Sequence, residues 1–170
     1  MTENAVQPAA GRATRVVDIA DLAVSNDPGA VLVTYSLGSC IGVAIWDPVV
    51  CVAGLLHYML PEASVSPEKA RSTPAMFCDT GVPMLFRAAY ELGAVKRRLV
   101  VKVAGGSQLL DDNGTFNIGR RNYLALRKIF WKNGVLIDGE HVGGSVSRTM
   151  RIEVASGIVT VRIRGEEVRL

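Results

Sequence analysis

Cysteine is scarce in this sequence, with three residues among 170. Because their number is odd and Cys40, Cys51 and Cys78 follow no regular spacing, they do not match the disulfide framework of a small secreted domain. Together with His57 they also lack the close ligand pair that zinc sites use, so we expect neither a metal nor a cofactor. The cysteine content predicts a protein of a reducing compartment, the cytoplasm.

Long apolar runs are absent as well. Gly, Asp, His or Lys interrupts every apolar stretch before it reaches the ~18–20 residues that span a bilayer, so we expect no membrane insertion. The Ala-rich and polar segment 1–14 contains no apolar stretch of signal-peptide length. It is expected to be a disordered tail ahead of a single domain over residues 15–170.

Neither sign of charge dominates the sequence. The 19 basic and 16 acidic residues are spread along the chain and give a formal net charge of +3. Duplex DNA requires a concentrated basic face, so we do not expect nucleic acid as a partner. The short basic run 96–98 lies between a helix pattern and a strand pattern, which is typical of solvated surface charge.

Short apolar segments in the first half of the chain predict adjacent strands joined by tight turns. These segments, rich in Val, Ile and Leu, cover residues 16–24, 31–37, 41–46 and 52–60. The polar stretch 62–74 follows without periodicity. Its length and its place directly after the last of these strands predict a loop that faces a substrate.

The second half of the chain mixes helix and strand patterns. Apolar residues at helical spacing predict two helices, over residues 79–92 and 117–133. Strand patterns cover residues 99–104, 135–137, 150–154 and 158–163, of which the last two form a hairpin. The sequence therefore predicts one α+β domain.

The segment Leu37-Gly38-Ser39-Cys40 has the features of a bend that presents a nucleophile. Gly38 has no side chain, so the chain can turn sharply there and let a substrate approach the backbone. The N–H groups near Ser39 and Cys40 are then open to a developing oxyanion, as a cysteine hydrolase requires. The alternative is that Cys40 is a small buried apolar residue in a strand corner.

His57 is the candidate acid and base. It lies in the otherwise apolar segment 52–60, where a histidine is also a common core residue. Cys40 and His57 both fall near the ends of consecutive strand segments, so we expect them to converge at one edge of a sheet. Thr34 is expected to accept the second ring N–H of His57 and fix its tautomer, although strand propensity alone also explains a threonine there.

Other residues compete for a role in the chemistry. Cys78 precedes the predicted helix 79–92, whose N-terminus lowers a thiol pKa, and it is the alternative nucleophile. It lacks a glycine bend and an obvious base. His141 is interpreted as a loop histidine, and the glycine pairs 105–106 and 143–144 as turns, because neither pair has a phosphate-binding pattern.

Five segments, taken in order, resemble the chemoreceptor glutamine deamidases called CheD. The matching segments are Thr34-Tyr35-Ser36-Leu37-Gly38-Ser39-Cys40, Gly54 through His57 to Met59-Leu60-Pro61, Val103-Ala104-Gly105-Gly106-Ser107, Asn117-Ile118-Gly119-Arg120-Arg121-Asn122, and Val142-Gly143-Gly144 with Arg148. They occur in the order found in the family, and the resemblance extends over roughly residues 31–164, most of the chain. The spacings of six residues from Thr34 to Cys40 and of 17 from Cys40 to His57 also fit the family.

The resemblance implies packed mixed β-sheets flanked by helices, similar to the catalytic domains of glutamine-deamidating toxins. It implies Cys40, His57 and Thr34 as catalytic residues, with Gly38 and Ser39 at the bound substrate. The implied reaction converts glutamine side chains in the cytoplasmic region of chemoreceptors to glutamate and releases ammonia through a thioester. For this chemistry we expect a Cys40 thiolate paired with protonated His57.

The resemblance also allows a function of another class. A CheC-type chemotaxis phosphatase is an implied partner, and a non-catalytic module that docks on chemoreceptors or on this phosphatase is the alternative to an enzyme. The complete Cys-His-Thr set favours catalysis, because a pure binding module does not need it. A cysteine protease is a third interpretation, although no feature of the sequence singles out a peptide bond as substrate.

Overall fold

The computed structural model describes residues 11–109 and 116–170. Most of the tail predicted over residues 1–14 therefore lies outside the described residues. Of its last four residues, Ala13 and Thr14 already belong to the first strand. Strand structure thus begins ahead of the predicted domain boundary at residue 15.

Within these ranges the chain forms ten strands and three α-helices. The strands are β1 (Ala13–Val16), β2 (Asp21–Ser25), β3 (Ala30–Leu37), β4 (Ile41–Asp47), β5 (Val52–Tyr58), β6 (Val100–Gly105), β7 (Gly139–Val142), β8 (Arg148–Glu153), β9 (Val159–Ile163) and β10 (Glu166–Arg169). The helices are α1 (Pro67–Ser72), α2 (Cys78–Glu91) and α3 (Ile118–Asn133). The predicted α+β class is confirmed.

The strands form two mixed sheets of five. Sheet A has the order β1-β3-β8-β9-β10, and sheet B has the order β2-β5-β4-β6-β7. The pairs β1 with β3 and β6 with β7 are parallel, and the other pairs are antiparallel. Because β3 and β4 follow each other but belong to different sheets, the chain crosses between the sheets at residues 38–40. The predicted nucleophile therefore lies at this crossover.

Sheet B is buried on both faces. One face packs on sheet A through a core layer that includes Leu32, Leu55 and Ile152. The other face packs on α2 and α3 through a layer that includes Leu56, Leu85 and Phe130. Each large apolar side chain buried in these layers stabilises the fold by roughly 1.5–3 kcal/mol before the entropy cost of ordering it.

The two long helices form where the apolar spacing predicted them. α2 packs closely on β5 because Gly54 has no side chain, since a Cβ there would lie 2.8 Å from Leu85 Cδ1. The Asn117 side chain caps α3 by accepting the Arg120 N–H, and Gly134 ends the helix with a φ of 63°. No helix in the described ranges is both long and apolar enough to cross a membrane.

Two predictions in the first half of the chain were wrong. The stretch 16–24, predicted as one strand, contains the end of β1 and the beginning of β2. These strands belong to different sheets because the chain turns at Ala20, where φ is 60°. The stretch 62–74, predicted as a loop, contains α1, which begins with Pro67 at a position that favours a helix start. Six residues with no buried side chain give no apolar periodicity to detect.

Two further differences concern the second half. The strand predicted around residues 135–137 does not form, and β7 follows at Gly139–Val142, where it pairs in parallel with β6. β10 was not predicted, because its four residues are all exposed and three of them are charged. The predicted hairpin of residues 150–154 and 158–163 is confirmed as β8 and β9.

Candidate active site

The end of β3 contains an irregularity that shapes the crossover. The pairing of β3 with β8 shifts between Thr34 and Leu37, which is a β-bulge. Within it, Ser36 has a φ of 57°, in the left-handed region that residues other than glycine rarely adopt. The bulge buries both Thr34 and Leu37 and leaves Tyr35 and Ser36 exposed between them.

Gly38 packs against the end of the Leu109 side chain and does not have an unusual backbone conformation. A Cβ at Gly38 would lie 2.7 Å from Leu109 Cδ1, and its φ lies outside the left-handed region. Its N–H donates to the Ser36 carbonyl at 2.9 Å, and its carbonyl accepts the Ser107 N–H at 2.8 Å. The expectation that glycine supplies the conformational freedom of this bend is therefore corrected, because the residue with positive φ is Ser36.

Cys40 and His57 face the same core layer. In the register of β4 with β5, His57 lies opposite Gly42, two residues after Cys40. Diagonal neighbours in antiparallel strands are about 7–8 Å apart. Cys40 packs against the layer between the two sheets, and His57 reaches the same layer because it contacts Thr34 of sheet A. The predicted convergence of the two residues at one sheet edge agrees with this register.

Thr34 holds the imidazole ring of His57. The Thr34 hydroxyl oxygen lies 2.7 Å from His57 Nδ1, and the hydroxyl donates its single proton to the Val17 carbonyl at 2.6 Å. The hydroxyl oxygen therefore accepts the Nδ1–H of His57. This fixes the tautomer with the proton on Nδ1 and leaves a lone pair on Nε2. The expected contact is present, and Val17 completes it.

Burial keeps His57 neutral. Loss of solvation lowers the pKa of His57 to about 4, while the charge of Asp18 acts in the opposite direction. Nε2 has no hydrogen-bond partner among the described residues, although the side chain is fully buried. An unpaired buried polar atom costs roughly 1–3 kcal/mol, so its presence needs a reason beyond stability.

Cys40 is half-buried, and burial raises the pKa of its thiol, while its own backbone N–H lowers the pKa by less. Because His57 Nε2 has no partner in the described ranges, the thiol and the ring are not hydrogen-bonded. The expected pairing of a Cys40 thiolate with protonated His57 is therefore wrong for this state. Desolvation disfavours both charges, and the site holds a neutral thiol and a neutral base.

Cys40 borders a cleft of about 450 Å³. Gly38 and Ser39, the predicted substrate-binding residues, both line it. The rest of the described wall comes from Ser36, from residues 107–109 and from residues 116–119. Cys40 is therefore accessible from this cleft, whereas His57 is not among the residues of its wall.

The glycine pair at the end of β6 fixes the backbone of Cys40. A Cβ at Gly105, where φ is 112°, would lie 2.1 Å from the carbonyl oxygen of Cys40. The next residue, Gly106, donates its N–H to that same oxygen at 2.8 Å. The interpretation of this pair as a plain turn was incomplete, because only a residue without a side chain permits this contact.

Asn122 of α3 was missed by the sequence analysis as a site residue. Its amide nitrogen donates to the carbonyl of Ser39 at 3.0 Å and to the carbonyl of Met59 at 2.8 Å. It thus connects the residue before Cys40 to the strand end that carries His57. One signal was available: Asn122 is a polar residue on the buried face of an amphipathic helix, one turn before Leu126.

Arg148 is a buried cation whose hydrogen-bond acceptors are neutral. It donates to Nδ1 of His141 at 2.8 Å, to the carbonyl of Gly143 at 2.7 Å and to the hydroxyl of Ser107 at 2.5 Å. Burial lowers the pKa of Arg148. Ser107 also donates its backbone N–H to Gly38, so the network supports that contact. His141 lies in β7 rather than in the predicted loop.

Cys78 does not have the surroundings of a reactive thiol. It is buried at the start of α2, and burial raises the pKa of Cys78 to about 12, which outweighs its hydrogen bond with Tyr58. The prediction that the helix N-terminus would lower this pKa is wrong, because desolvation is the larger effect. Cys40 is therefore the stronger nucleophile candidate.

Comparison with known proteins identifies the family to which the chain is similar. A family model described as "CheD chemotactic sensory transduction" matches residues 59–163, more than half of the chain. A protein of Syntrophus aciditrophicus, "Probable chemoreceptor glutamine deamidase CheD 1", is 54% identical over 154 residues, which are 91% of this chain and 96% of that protein. A Solibacter usitatus protein, "Probable chemoreceptor glutamine deamidase CheD", is 48% identical over 91% of this chain and 92% of its own length.

A third relative, "Probable chemoreceptor glutamine deamidase CheD 2" of Anaeromyxobacter dehalogenans, is 49% identical over 89% of this chain and 95% of its own length. The alignments to these three relatives are long enough to include Thr34, Cys40, His57 and Asn122, whereas the family model begins at residue 59. The resemblance predicted from five short segments is confirmed. On the family model and on the identity to these relatives, the chain belongs to the CheD family.

Proposed function

We propose that this protein deamidates glutamine side chains of chemoreceptors to glutamate and thereby takes part in chemotaxis adaptation. The relatives named as probable chemoreceptor glutamine deamidases support this activity. One contact supports it above all: the 2.7 Å contact of Thr34 with His57 Nδ1 leaves Nε2 as a free base in the core layer against which Cys40 packs. A protein-glutamine glutaminase with a cysteine nucleophile uses this pair of groups.

The first half of the reaction forms a thioester. His57 Nε2 takes the proton of the Cys40 thiol as the sulfur attacks the side-chain carbonyl carbon of the substrate glutamine. The carbonyl oxygen becomes an oxyanion that accepts hydrogen bonds from N–H groups near Ser39 and Cys40. The ring then gives its Nε2 proton to the amide nitrogen, the C–N bond breaks and ammonia leaves. The contact of thiol and ring forms in the substrate complex, since such hydrogen bonds are often long without substrate.

The second half regenerates the thiol. Neutral His57 accepts a proton from water as the water oxygen attacks the thioester carbonyl carbon. The C–S bond breaks, the sulfur takes the proton back from the ring, and glutamate remains on the receptor. Thr34 keeps the ring oriented through both halves. Each turnover consumes one water and releases one ammonia. The new carboxylic acid then gives its proton to ammonia or solvent, which adds one negative charge to the receptor.

The test compares two cysteine variants. Wild-type protein, Cys40→Ser and Cys51→Ser are incubated with a purified chemoreceptor cytoplasmic fragment, and the conversion of glutamine to glutamate is followed by peptide mass spectrometry. We expect conversion with the wild type and with Cys51→Ser, and none with Cys40→Ser. Conversion by Cys40→Ser at the wild-type rate would rule out the nucleophile, and cleaved receptor fragments would indicate a protease instead.

We also propose that the rim of the cleft docks helical partners, either chemoreceptors or a CheC-type phosphatase. Two apolar side chains at the rim support docking, since Phe116 is 69% and Leu109 46% exposed. A receptor substrate of this kind requires that the protein acts in the cytoplasm. Pull-downs with a receptor fragment and with a CheC-type phosphatase should survive Cys40→Ser while conversion is lost. Loss of binding to both partners in a folded Cys40→Ser variant would contradict the docking role.

A further inference from the structure

The outer face of α3 carries a concentration of positive charge. The charged residues of this helix are all basic, namely Arg120, Arg121, Arg127, Lys128 and Lys132. Arg127 donates to the hydroxyl of Tyr123, which also donates to Glu140. In the part of the chain that the structure describes, no salt bridge involves the other four. A helix of this kind attracts an acidic surface.

Two large apolar side chains stand on this basic face. Leu124 is 52% exposed and Trp131 is 83% exposed. They lie seven residues apart, about two helical turns, so they share one face of α3. Arg121 and Lys128 lie on the same face, three residues before Leu124 and Trp131 respectively. The buried side of the helix already supplies its packing, so Leu124 and Trp131 contribute little to the protein's own core.

The basic face is continuous with the candidate active site. Residues 117–119, at the start of α3, line the cleft beside Cys40. The helix has 16 residues, which corresponds to about 24 Å at 1.5 Å per residue. A protein segment whose glutamine enters the cleft can therefore continue along the exposed face of α3 as far as Trp131.

We propose that Arg121, Leu124, Lys128 and Trp131 form a docking surface for the substrate. The occupant is an acidic helical segment of the protein whose glutamine enters the cleft. This inference rests on the proposed function. Carboxylates on the segment pair with Arg121 and Lys128, and apolar residues two turns apart pack on Leu124 and Trp131. A helix fits this surface because its own side chains recur on one face every two turns, which is the interval between Leu124 and Trp131.

The test measures steady-state kinetics on two substrates. One is a chemoreceptor cytoplasmic fragment, and the other is a short peptide that carries the same target glutamine but cannot reach α3. Lys128→Glu and Trp131→Ala should each raise KM for the fragment by about fivefold or more, with kcat within about twofold and with peptide kinetics unchanged. Both side chains are exposed, and thermal unfolding checks that the variants fold.

A matched control separates local charge from net charge. Arg151→Glu changes the net charge by the same amount as Lys128→Glu, but it lies on the exposed face of sheet A in β8. It should leave KM for the fragment unchanged. For wild type, increasing salt should raise KM for the fragment, and this dependence should weaken in Lys128→Glu.

Three outcomes would overturn the docking surface. The first is an unchanged KM for the fragment in both variants, and the second is an equal loss on the short peptide. The third is binding of phosphatidylserine vesicles through Lys128 and Trp131 with no effect on fragment binding, which would assign the face to a membrane. Direct titration of the fragment into Cys40→Ser and Cys40→Ser/Lys128→Glu measures docking without turnover, so failure of the proposed activity remains distinguishable from failure of this inference.

Discussion

Thr34 of sheet A and His57 of sheet B are joined by a buried contact of 2.7 Å between the threonine hydroxyl and the ring Nδ1. The hydroxyl also donates to the carbonyl of Val17, in the chain segment that leaves β1. The orientation of the ring therefore depends on the packing of one sheet on the other. The base of the candidate site is positioned by tertiary structure, whereas Cys40 is positioned by the crossover between the sheets.

Removing the Thr34 hydroxyl should uncouple the ring from sheet A. Thr34→Val keeps the shape of the side chain but leaves the Nδ1–H of His57 and the carbonyl of Val17 unpaired. We expect kcat/KM on a receptor fragment to fall about 10- to 100-fold. Thr34→Ser retains the hydroxyl and should stay within about threefold of wild type. Equal activity in Thr34→Val and wild type would contradict the positioning role.

The burial of His57 predicts a loss of stability in acid. In the folded protein the pKa of His57 is about 4, against 6.5 in the unfolded chain, so only the unfolded chain takes up this proton between the two values. The free energy of unfolding should therefore fall by up to ~3 kcal/mol from pH 6.5 to pH 4 through this residue alone, and this loss ends below pH 4. Well above pH 6.5 neither state takes up the proton, and this loss of stability is absent.

Urea unfolding at a series of pH values measures this effect. His57→Gln does not titrate, so its stability should decline less steeply than that of wild type across this window. The comparison of slopes is independent of any constant cost of the substitution. Parallel pH profiles for the two proteins would show that the ring is not buried as a neutral group.

A neutral thiol in the resting site has a kinetic signature. Because burial raises the pKa of Cys40, its thiolate fraction should increase about tenfold per pH unit near neutrality. Alkylation by iodoacetamide, measured in a Cys51→Ser background, should accelerate accordingly from about pH 6 to about pH 8. Cys78 is buried and should not react. A rate that is flat across this range would indicate a thiolate paired with protonated His57 and would restore the ion pair expected from the sequence.

The sequence identified the parts of the site that depend on local pattern and spacing. Gly38, Ser39 and Cys40 lie at a bend that is visible as a break between two apolar runs. Thr34 and His57 are polar residues in apolar strand segments, and they lie on β3 and β5 of different sheets. The contact between Thr34 and His57 forms only when the two sheets pack together.

The features that the sequence did not reveal depend on distant contacts or on burial. Asn122 lies 83 residues from Ser39 along the chain, and no local pattern records that separation. The left-handed conformation of Ser36 results from the shifted register with β8, which is set more than a hundred residues later. The protonation states of Cys40 and His57 depend on desolvation, which a sequence does not specify.

Asn122 should act as a clamp between the two halves of the site. Its amide donates to the carbonyl of Ser39, adjacent to Cys40, and to the carbonyl of Met59, two residues after His57. Asn122→Ala leaves both buried acceptors unpaired, which should lower the free energy of unfolding by about 1–3 kcal/mol. It also releases the spacing of thiol and ring, so kcat should fall by about tenfold or more while KM changes little.

A second asparagine on the same helix provides the control for this prediction. Asn133 donates to the carbonyl of Ile129 at the exposed end of α3, far from Cys40. Asn133→Ala should alter the free energy of unfolding by less than about 0.5 kcal/mol and leave kcat unchanged. If Asn122→Ala loses stability but keeps the wild-type kcat at a temperature where it is folded, the residue only supports the fold. A loss of kcat in the fully folded variant requires that the two carbonyls set the distance between nucleophile and base.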